Sequence, residues 1–359
     1  MHIVYLVENI DVAGGIERSL TTRVNYMMEL GDYEITIVCT QKNTGIPYYE
    51  LNSNVKLLFL ESLTSKKTIL SRVFLRYNQS KQIVKLKSDI IISVKYSLHN
   101  VFFQFLRKKQ KLISEIREPK EQYDLNLKSI KSKINALIRN IVFKKQDLLI
   151  VLTQRDKQNW GFKKMYVVPN PITIVTDEVS SLTNKQILAL GRLHPIKGFD
   201  LLICAWKQII AKHSNWHLKI CGKGEEYDNL INLINKLNLS QSICITNEFV
   251  EVGPEFLISS IFVSTSQYES FGNVLVESKV YGVPIVAFDA PSGPREIIKN
   301  TEDGFLIPLN DINELADKII FLIENESVRI EMGRNAKINS QDYNVDKVMN
   351  IYINFLKSI

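Results

Sequence analysis

Short apolar runs alternate along the whole chain with longer amphipathic stretches, and this alternation restricts the possible folds more than any other feature. His2–Val7, Glu34–Cys39, Val55–Leu60, Ile90–Val94, Leu148–Leu152 and Met165–Val168 read as strands. The series resumes with Gln186–Leu190, His217–Cys221, Ser242–Thr246, Ile261–Ser264, Pro284–Ala287 and Gly304–Ile307. Between them lie helical patterns, among them Glu17–Leu30, Leu70–Lys87, Phe199–Lys212, Glu226–Leu237, Val274–Tyr281 and Ile312–Glu324. Such alternation signals doubly wound parallel sheets, because a parallel strand pair needs a crossover long enough to hold a helix. The pattern restarts near residue 185, after Pro169-Asn170-Pro171, whose prolines push the preceding residues out of the helical region.

The expected fold class is therefore α/β, with two Rossmann-like domains facing each other across a cleft. The boundaries read as 1–168 and 185–338, with a hinge at 169–184 and a last helical segment at 339–359 that packs back on the first domain. The 359 residues suit two domains at ~100–200 residues each. Hydrophobic residues make up 45% and charged residues 23%, which excludes wholesale disorder. No apolar run approaches the ~20 residues of a membrane-spanning helix. The opening strand lacks the basic flank and cleavage site of a signal peptide. Cys39, Cys204, Cys221 and Cys244 are far apart and form no CxxC pair. They read as buried, reduced thiols of a cytoplasmic protein rather than a zinc knuckle or disulfide framework.

The net charge of +7 conceals a division. Residues 1–170 hold 28 Lys and Arg against 15 Asp and Glu, +13 in all, whereas the remainder holds 17 against 23, or −6. The first half is thus expected to meet something anionic.

Four stretches carry residues suited to chemistry. Gly14-Gly15 follows the first strand and precedes a helix, where a backbone can approach a phosphate or simply turn tightly; GxGxxG is absent. Gly191–Gly198 (GRLHPIKG) places Arg192 and Lys197 at the carboxyl end of a strand, as a diphosphate clamp or as solvated cations. Glu269–Glu277 (ESFGNVLVE) sets two carboxylates around a tight turn that opens a helix near Asn273, whose first amides suit phosphate oxygens. Pro291–Glu296 (PSGPRE) closes the next strand, followed by Glu302 and Asp303, which read as ordinary connections.

Taken together and in order, Gly14-Gly15, GRxxxxKG and Glu-x7-Glu resemble the retaining GT-B glycosyltransferases of family 4 (group 1). Ala287–Glu296 and Val168–Ile172 look most like the amylovoran-type members that build bacterial surface polysaccharides. The resemblance implies a nucleotide-sugar held mostly by the second domain and an acceptor over the first. By it, Arg192 and Lys197 neutralise the leaving diphosphate, and Glu269 and Glu277 accept from the hydroxyls of the sugar and the ribose. Gly14 and Gly15 close over the diphosphate. Ser270, Phe271, Gly272, Asn273 and Val274 form the turn that holds it, and the base lies near Gly222 and Val250. No cofactor is implied. No Asp-x-Asp occurs, so Arg and Lys stand in for a metal. Many relatives place a first-domain histidine where this chain reads Ser114–Pro119 (SEIREP); Glu115 or Arg117 is a candidate for that contact, or a structural ion pair. His99 is a further candidate at the cleft rim, and His194 reads as a loop cap.

Leu125–Gln146 places Leu127, Ile130, Ile134, Leu137 and Ile141 at helical spacing, ringed by Lys128, Lys131, Lys133, Arg139, Lys144 and Lys145. Lys66–Lys87 repeats the theme with Leu70, Val73, Phe74 and Tyr77. Each stripe reads as core with a solvated basic side, or as a surface lying on an anionic membrane; the summed charge favours the second. Nucleic acid is excluded by the lack of an aromatic platform or a helix-turn-helix. The expected function is hexose transfer from a nucleotide-sugar, UDP-linked, to a glycan or lipid-linked glycan, at the cytoplasmic face of the inner membrane. The alternatives are a catalytically silent nucleotide-sugar-binding subunit and a nucleotide-sugar 2-epimerase. A glycosidase reading of the two glutamates fails because a cationic clamp has no role on a neutral glycoside.

Overall fold

A computed structural model describes residues 1–41, 44–61, 68–125, 127 and 129–359. Lys66 and Lys128 therefore lie outside the described residues. The chain divides into two units, the first comprising 1–171 together with 345–359 and the second 172–344.

The first unit is built on seven parallel strands: β1 (His2–Val7), β2 (Glu34–Cys39), β3 (Lys56–Phe59), β4 (Ile90–Ser93), β5 (Lys111–Ile116), β6 (Leu148–Val151) and β7 (Met165–Val167). Their order is β3-β2-β1-β4-β5-β6-β7. In β1 the apolar run serves both faces, as a parallel sheet covered on both sides demands. Ile3, Tyr5 and Val7 pack with α1 (Gly15–Glu29) and with α14 (Val345–Lys357) at the far end of the chain. Val4 and Leu6 pack the other way, with Ile83 of α2 (Ile69–Val84) and Phe103 of α3 (Leu98–Leu106). The remaining helices of this unit are α4 (Lys120–Leu125), α5 (Ile130–Lys145) and α6 (Gln154–Trp160).

The second unit has six parallel strands: β8 (Gln186–Leu190), β9 (His217–Cys221), β10 (Ile243–Ile245), β11 (Ile261–Ser264), β12 (Ile285–Phe288) and β13 (Gly304–Ile307). Their order, β10-β9-β8-β11-β12-β13, repeats that of the first unit without its seventh strand. The register runs Gln186↔His217 on one side of β8 and Ile187↔Ile261 on the other. Helices α7 (Phe199–Lys212), α8 (Tyr227–Lys236), α9 (Val252–Leu257), α10 (Asn273–Val280), α11 (Gly293–Ile297), α12 (Ile312–Glu324) and α13 (Glu326–Ser340) complete it. Trp206, Leu218, Phe288 and Leu315 belong to its core.

Two corrections concern the borders. The chain leaves the first unit after Pro171, and residues 172–184 belong to the second unit rather than to a free hinge. Ser180 fixes that segment, its N–H donating to Tyr281 O (2.9 Å) and its Oγ to Ser259 O (2.7 Å). Residues 339–344 also stay with the second unit, and only α14 packs on the first. The thiols differ from expectation too: all four are free, but Cys244 is exposed and Cys204 only partly buried.

Candidate active site

In an open parallel sheet, ligands bind beyond the carboxyl ends of the strands where the strand order reverses. In the second unit that point lies between β8 and β11. The loops following these strands are fastened together there. Gln267 N–H donates to Ile196 O at 2.7 Å, and Thr265 Oγ1 donates to Lys197 O at 2.9 Å. Lys197 Nζ donates to Glu269 Oε2 at 2.7 Å, a charge-assisted contact between two partly buried side chains. Arg192 projects from the same loop, exposed and without an ion-pair partner among the described residues. His194 Nδ1 accepts from Ile196 N–H and so caps the turn Pro195–Lys197.

The Glu269 backbone is held in place from β12. Gly293 N–H donates to Glu269 O at 2.9 Å, and Glu269 pairs as a short parallel bridge with Ser292. A Cβ at Gly293 would overlap the Phe271 carbonyl, so only glycine lets these loops meet. Gly272 has φ +93° and occupies the N-cap position of α10, a conformation that favours glycine. The chain thus turns sharply from Glu269 and Ser270 into Asn273 and Val274, the first turn of α10. Glu277 lies one turn further along and is buried. The start of α10, with its positive end, and the Lys197 ammonium are on loops that end adjacent strands, an arrangement favourable to an anion. Phe271 is corrected from a ligand contact to a core residue, buried edge-on to Tyr343 at 5.6 Å. Gly222 belongs to the neighbouring loop after β9, its N–H donating to Thr246 Oγ1 (3.4 Å). Val250 sits on the loop that runs from the edge strand β10 into α9, the helix that leads back to β11.

In the first unit, Gly14 is the extended N-cap of α1, followed by Gly15. The Glu17 carboxylate folds back over Gly14, where it would overlap a Cβ. Burial raises the pKa of that carboxyl. His99 is corrected outright. It is fully buried, with Nε2 paired to Gln79 Oε1 (2.9 Å) and Nδ1 to Ser97 Oγ and an Arg76 guanidinium nitrogen (both 3.1 Å). Burial, with the Arg76 charge beside it, pushes its pKa down to about 3.

Of the two readings of Glu115 and Arg117, a substrate contact or a structural ion pair, the structure corrects the first and shows the second, in a buried charge cluster. Glu115 Oε1 accepts from Arg23 Nη1 (2.7 Å), and Oε2 from Arg23 Nη2 (3.1 Å) and Arg117 Nε (2.8 Å). Burial alone would raise the Glu115 pKa, yet Arg117 and Arg23 bring it down to about 2. Asn170 Oδ1 accepts from Arg117 Nη1 (2.7 Å) and Ser19 Oγ (2.9 Å). The Arg23 guanidinium also lies 5.0 Å from the centre of the Tyr352 ring of α14. Arg23 was not legible as part of a site, although it sits on the apolar stripe Leu20, Val24, Met27 of α1, where a charge requires a partner. Lys279 and Asp303 form a second unforeseen pair, fully buried at 2.8 Å beneath α10. Lys279 also donates to Ile297 O, and Asp303 accepts from Lys299 N–H and Asn339 Nδ2. A helix buried on every side shows no stripe to mark such a lysine.

Residues 173–339 match the family model described as Glycosyl transferases group 1. The amylovoran biosynthesis glycosyltransferase AmsD of Erwinia amylovora is 28% identical, over 97% of each chain. The N-acetylgalactosamine-N,N'-diacetylbacillosaminyl-diphospho-undecaprenol 4-alpha-N-acetylgalactosaminyltransferase of Campylobacter jejuni is 26% identical, over 70% of this chain and 71% of its own. Among solved structures, Anabaena Alr3699/HepE in complex with UDP superposes with a TM-score of 0.79 at 19% identity, covering all of both chains. That likeness is one of fold. The family match falls on the unit that carries the Lys197–Glu269 pair, and the two doubly wound units have the GT-B fold of the solved neighbours: the chain is a GT-B protein whose second unit resembles the group 1 glycosyltransferases.

Proposed function

We propose that the protein is a retaining, metal-independent glycosyltransferase that moves a hexose from a UDP-linked sugar to a glycan or lipid-linked glycan in bacterial surface-polysaccharide assembly. The observation that carries this reading is the Lys197–Glu269 contact at the reversal of strand order in a unit that resembles the group 1 glycosyltransferases. Departure of a nucleoside diphosphate develops negative charge, which fixed cations and helix amides in a protected site stabilise. Lys197 and Arg192 are assigned to that diphosphate, together with Ser270, Gly272, Asn273 and Val274 of the turn and with Gly14-Gly15. Glu269 is assigned to the hydroxyls of the transferred sugar and Glu277 to the ribose, with Gly222 and Val250 beside the base. When the donor binds, Lys197 exchanges part of its contact with Glu269 for phosphate oxygens, which frees a carboxylate oxygen for the sugar.

A UDP donor is supported by the ligand named with Alr3699/HepE, and a lipid-linked acceptor by the diphospho-undecaprenol in the name of the Campylobacter jejuni relative. AmsD supports a role in building a polysaccharide. With such an acceptor the protein works at the cytoplasmic face of the inner membrane as a peripheral protein. No helix among the described residues is long and apolar enough to cross a membrane. A thermal-shift panel of UDP, GDP, ADP and CDP sugars tests the donor. Selective stabilisation by a UDP-sugar is expected; selection of another nucleotide overturns the UDP assignment, and no shift with any of them overturns the transferase reading.

A further inference from the structure

The helices α2, α3 and α5 contain neither Asp nor Glu, and α3 packs against both of the others. On α5, Ile130, Ile134, Leu137, Ile138 and Ile141 share one face and lie in solvent, Ile130 80% exposed and Leu137 62%. The opposite face of α5 enters the core through Val142, Phe143 and Arg139. The Arg139 guanidinium there lies over the rings of Tyr123 and Trp160, at 4.4 and 4.9 Å. On α2 the stripe Ile69, Leu70, Val73, Phe74 and Tyr77 also faces outward, Leu70 82% exposed and Phe74 65%. Tyr77 meets Phe102 of α3 edge-on at 5.6 Å, which carries the apolar surface from one helix to the next. Phe105 stands 77% exposed near the end of α3. The stripes are therefore not core. Exposed lysines border them: Lys131, Lys133, Lys144 and Lys145 on α5, Lys81 and Lys85 at the end of α2, and Lys108 and Lys109 after α3.

Single exposed apolar side chains are ordinary, but outward stripes on neighbouring helices mark an interaction surface. A second copy of the chain would bring lysine borders against lysine borders. An anionic bilayer satisfies both components, because apolar side chains enter the acyl boundary while lysines reach up to the headgroups. At ~1.5 Å per residue, the 16 residues of α5 are too short to span ~30 Å of hydrocarbon but long enough to lie along its surface. We propose that the α2–α3–α5 face docks the protein on an anionic bilayer, with α5 lying in the plane of the interface and its isoleucine–leucine stripe inserted. This deepens, and rests on, the reading of a transferase that serves lipid-linked acceptors, but its test needs neither donor nor acceptor. An inactive transferase and a failure to dock are thus separate results.

The test is co-sedimentation of the full chain with vesicles of phosphatidylcholine, with and without about one-third phosphatidylglycerol. The wild type is expected to prefer the anionic vesicles. The charge-reduced Lys131→Gln/Lys133→Gln variant should partition about 25-fold less, at roughly fivefold per lysine. In about 1 M salt, where the screening length falls to ~3 Å, a residual bound fraction should persist. The Ile134→Asn/Leu137→Asn variant should lose that residue by tenfold or more. Thermal midpoints within about 2 °C of wild type certify that both variants are folded, and Ile130→Asn/Ile141→Asn serves as a second apolar pair if the first is not. Equal binding to neutral vesicles, or salt-resistant binding that both apolar pairs leave unchanged, overturns the proposal. A change in oligomeric state without a change in vesicle binding also overturns it, because the face then belongs to a second copy.

Discussion

Replacing Glu115 by Gln removes one negative charge and almost no volume from the interior of the first unit. Glu115 is fully buried and accepts from two guanidiniums through both oxygens. The amide offers one acceptor and turns an NH2 toward a cation, leaving Arg23 and Arg117 buried without a counter-charge. Breaking a buried ion pair on one side costs about 3–5 kcal/mol, chiefly through the charge left behind. A domain of ~150–250 residues loses about 2–4 °C per kcal/mol, so the first unit should melt about 6–20 °C earlier. Scanning calorimetry is the assay, because a chain of two units need not unfold in one step. The sign with pH follows from the depressed carboxyl. Glu115 stabilises the fold above the unfolded value of ~4.3, and this contribution is lost as pH falls toward about 2. The difference between wild type and variant should therefore shrink below pH ~4. Replacing all three charges together, as Arg23→Met/Glu115→Leu/Arg117→Met, should cost less than the single change, since no orphaned charge remains. A Glu115→Gln protein melting within about 2 °C of wild type at pH 7 would refute the reasoning.

The other predictions concern separate sites. Lys197→Ala should lower kcat/KM for sugar transfer by about 10²–10³, as loss of a preorganised donor to a developing anion does; turnover within a few-fold of wild type would remove Lys197 from the diphosphate. His99 is buried with its pKa lowered to about 3, so the unfolded state takes up the proton first. Stability of the first unit is then full above pH ~6.5 and falls from there toward about 3, and His99→Gln should flatten that slope in urea titrations between pH 4 and 6.5. Gly293→Ala should force the loops after β11 and β12 apart and weaken UDP binding in calorimetry; unchanged affinity would show that the Glu269 turn does not depend on that contact.

Much of the fold could be read from the sequence because strands buried on both faces become continuous apolar runs. Their alternation with helical patterns dictates the doubly wound topology. Arg192, Lys197 and Glu269 could be placed at strand ends for the same reason. The pairing of Lys197 with Glu269 could not, because 72 positions separate them and only the adjacency of β8 and β11 unites them. The burial of His99 was not legible because its partners, Gln79 and Arg76, lie on another element, and the two readings of Glu115 stayed open because Arg23 lies on α1. Periodicity identified the stripes of α2 and α5 but not the side that turns inward. On α5 the inward side contains an arginine, Arg139, whose guanidinium is covered by the rings of Tyr123 and Trp160.

The Arg23 cluster has a consequence for biosynthesis. Asn170 precedes the passage of the chain into the second unit, and Tyr352 follows its return. The second unit is a continuous segment, whereas the first lacks Val348, Tyr352 and Phe355 of its core until 173 intervening residues have been translated. On the ribosome, the later-made unit can therefore close before the earlier one is complete. Until α14 arrives, the nascent first unit holds a buried-type cation on an uncovered apolar face, and chaperones would meet the protein in that form.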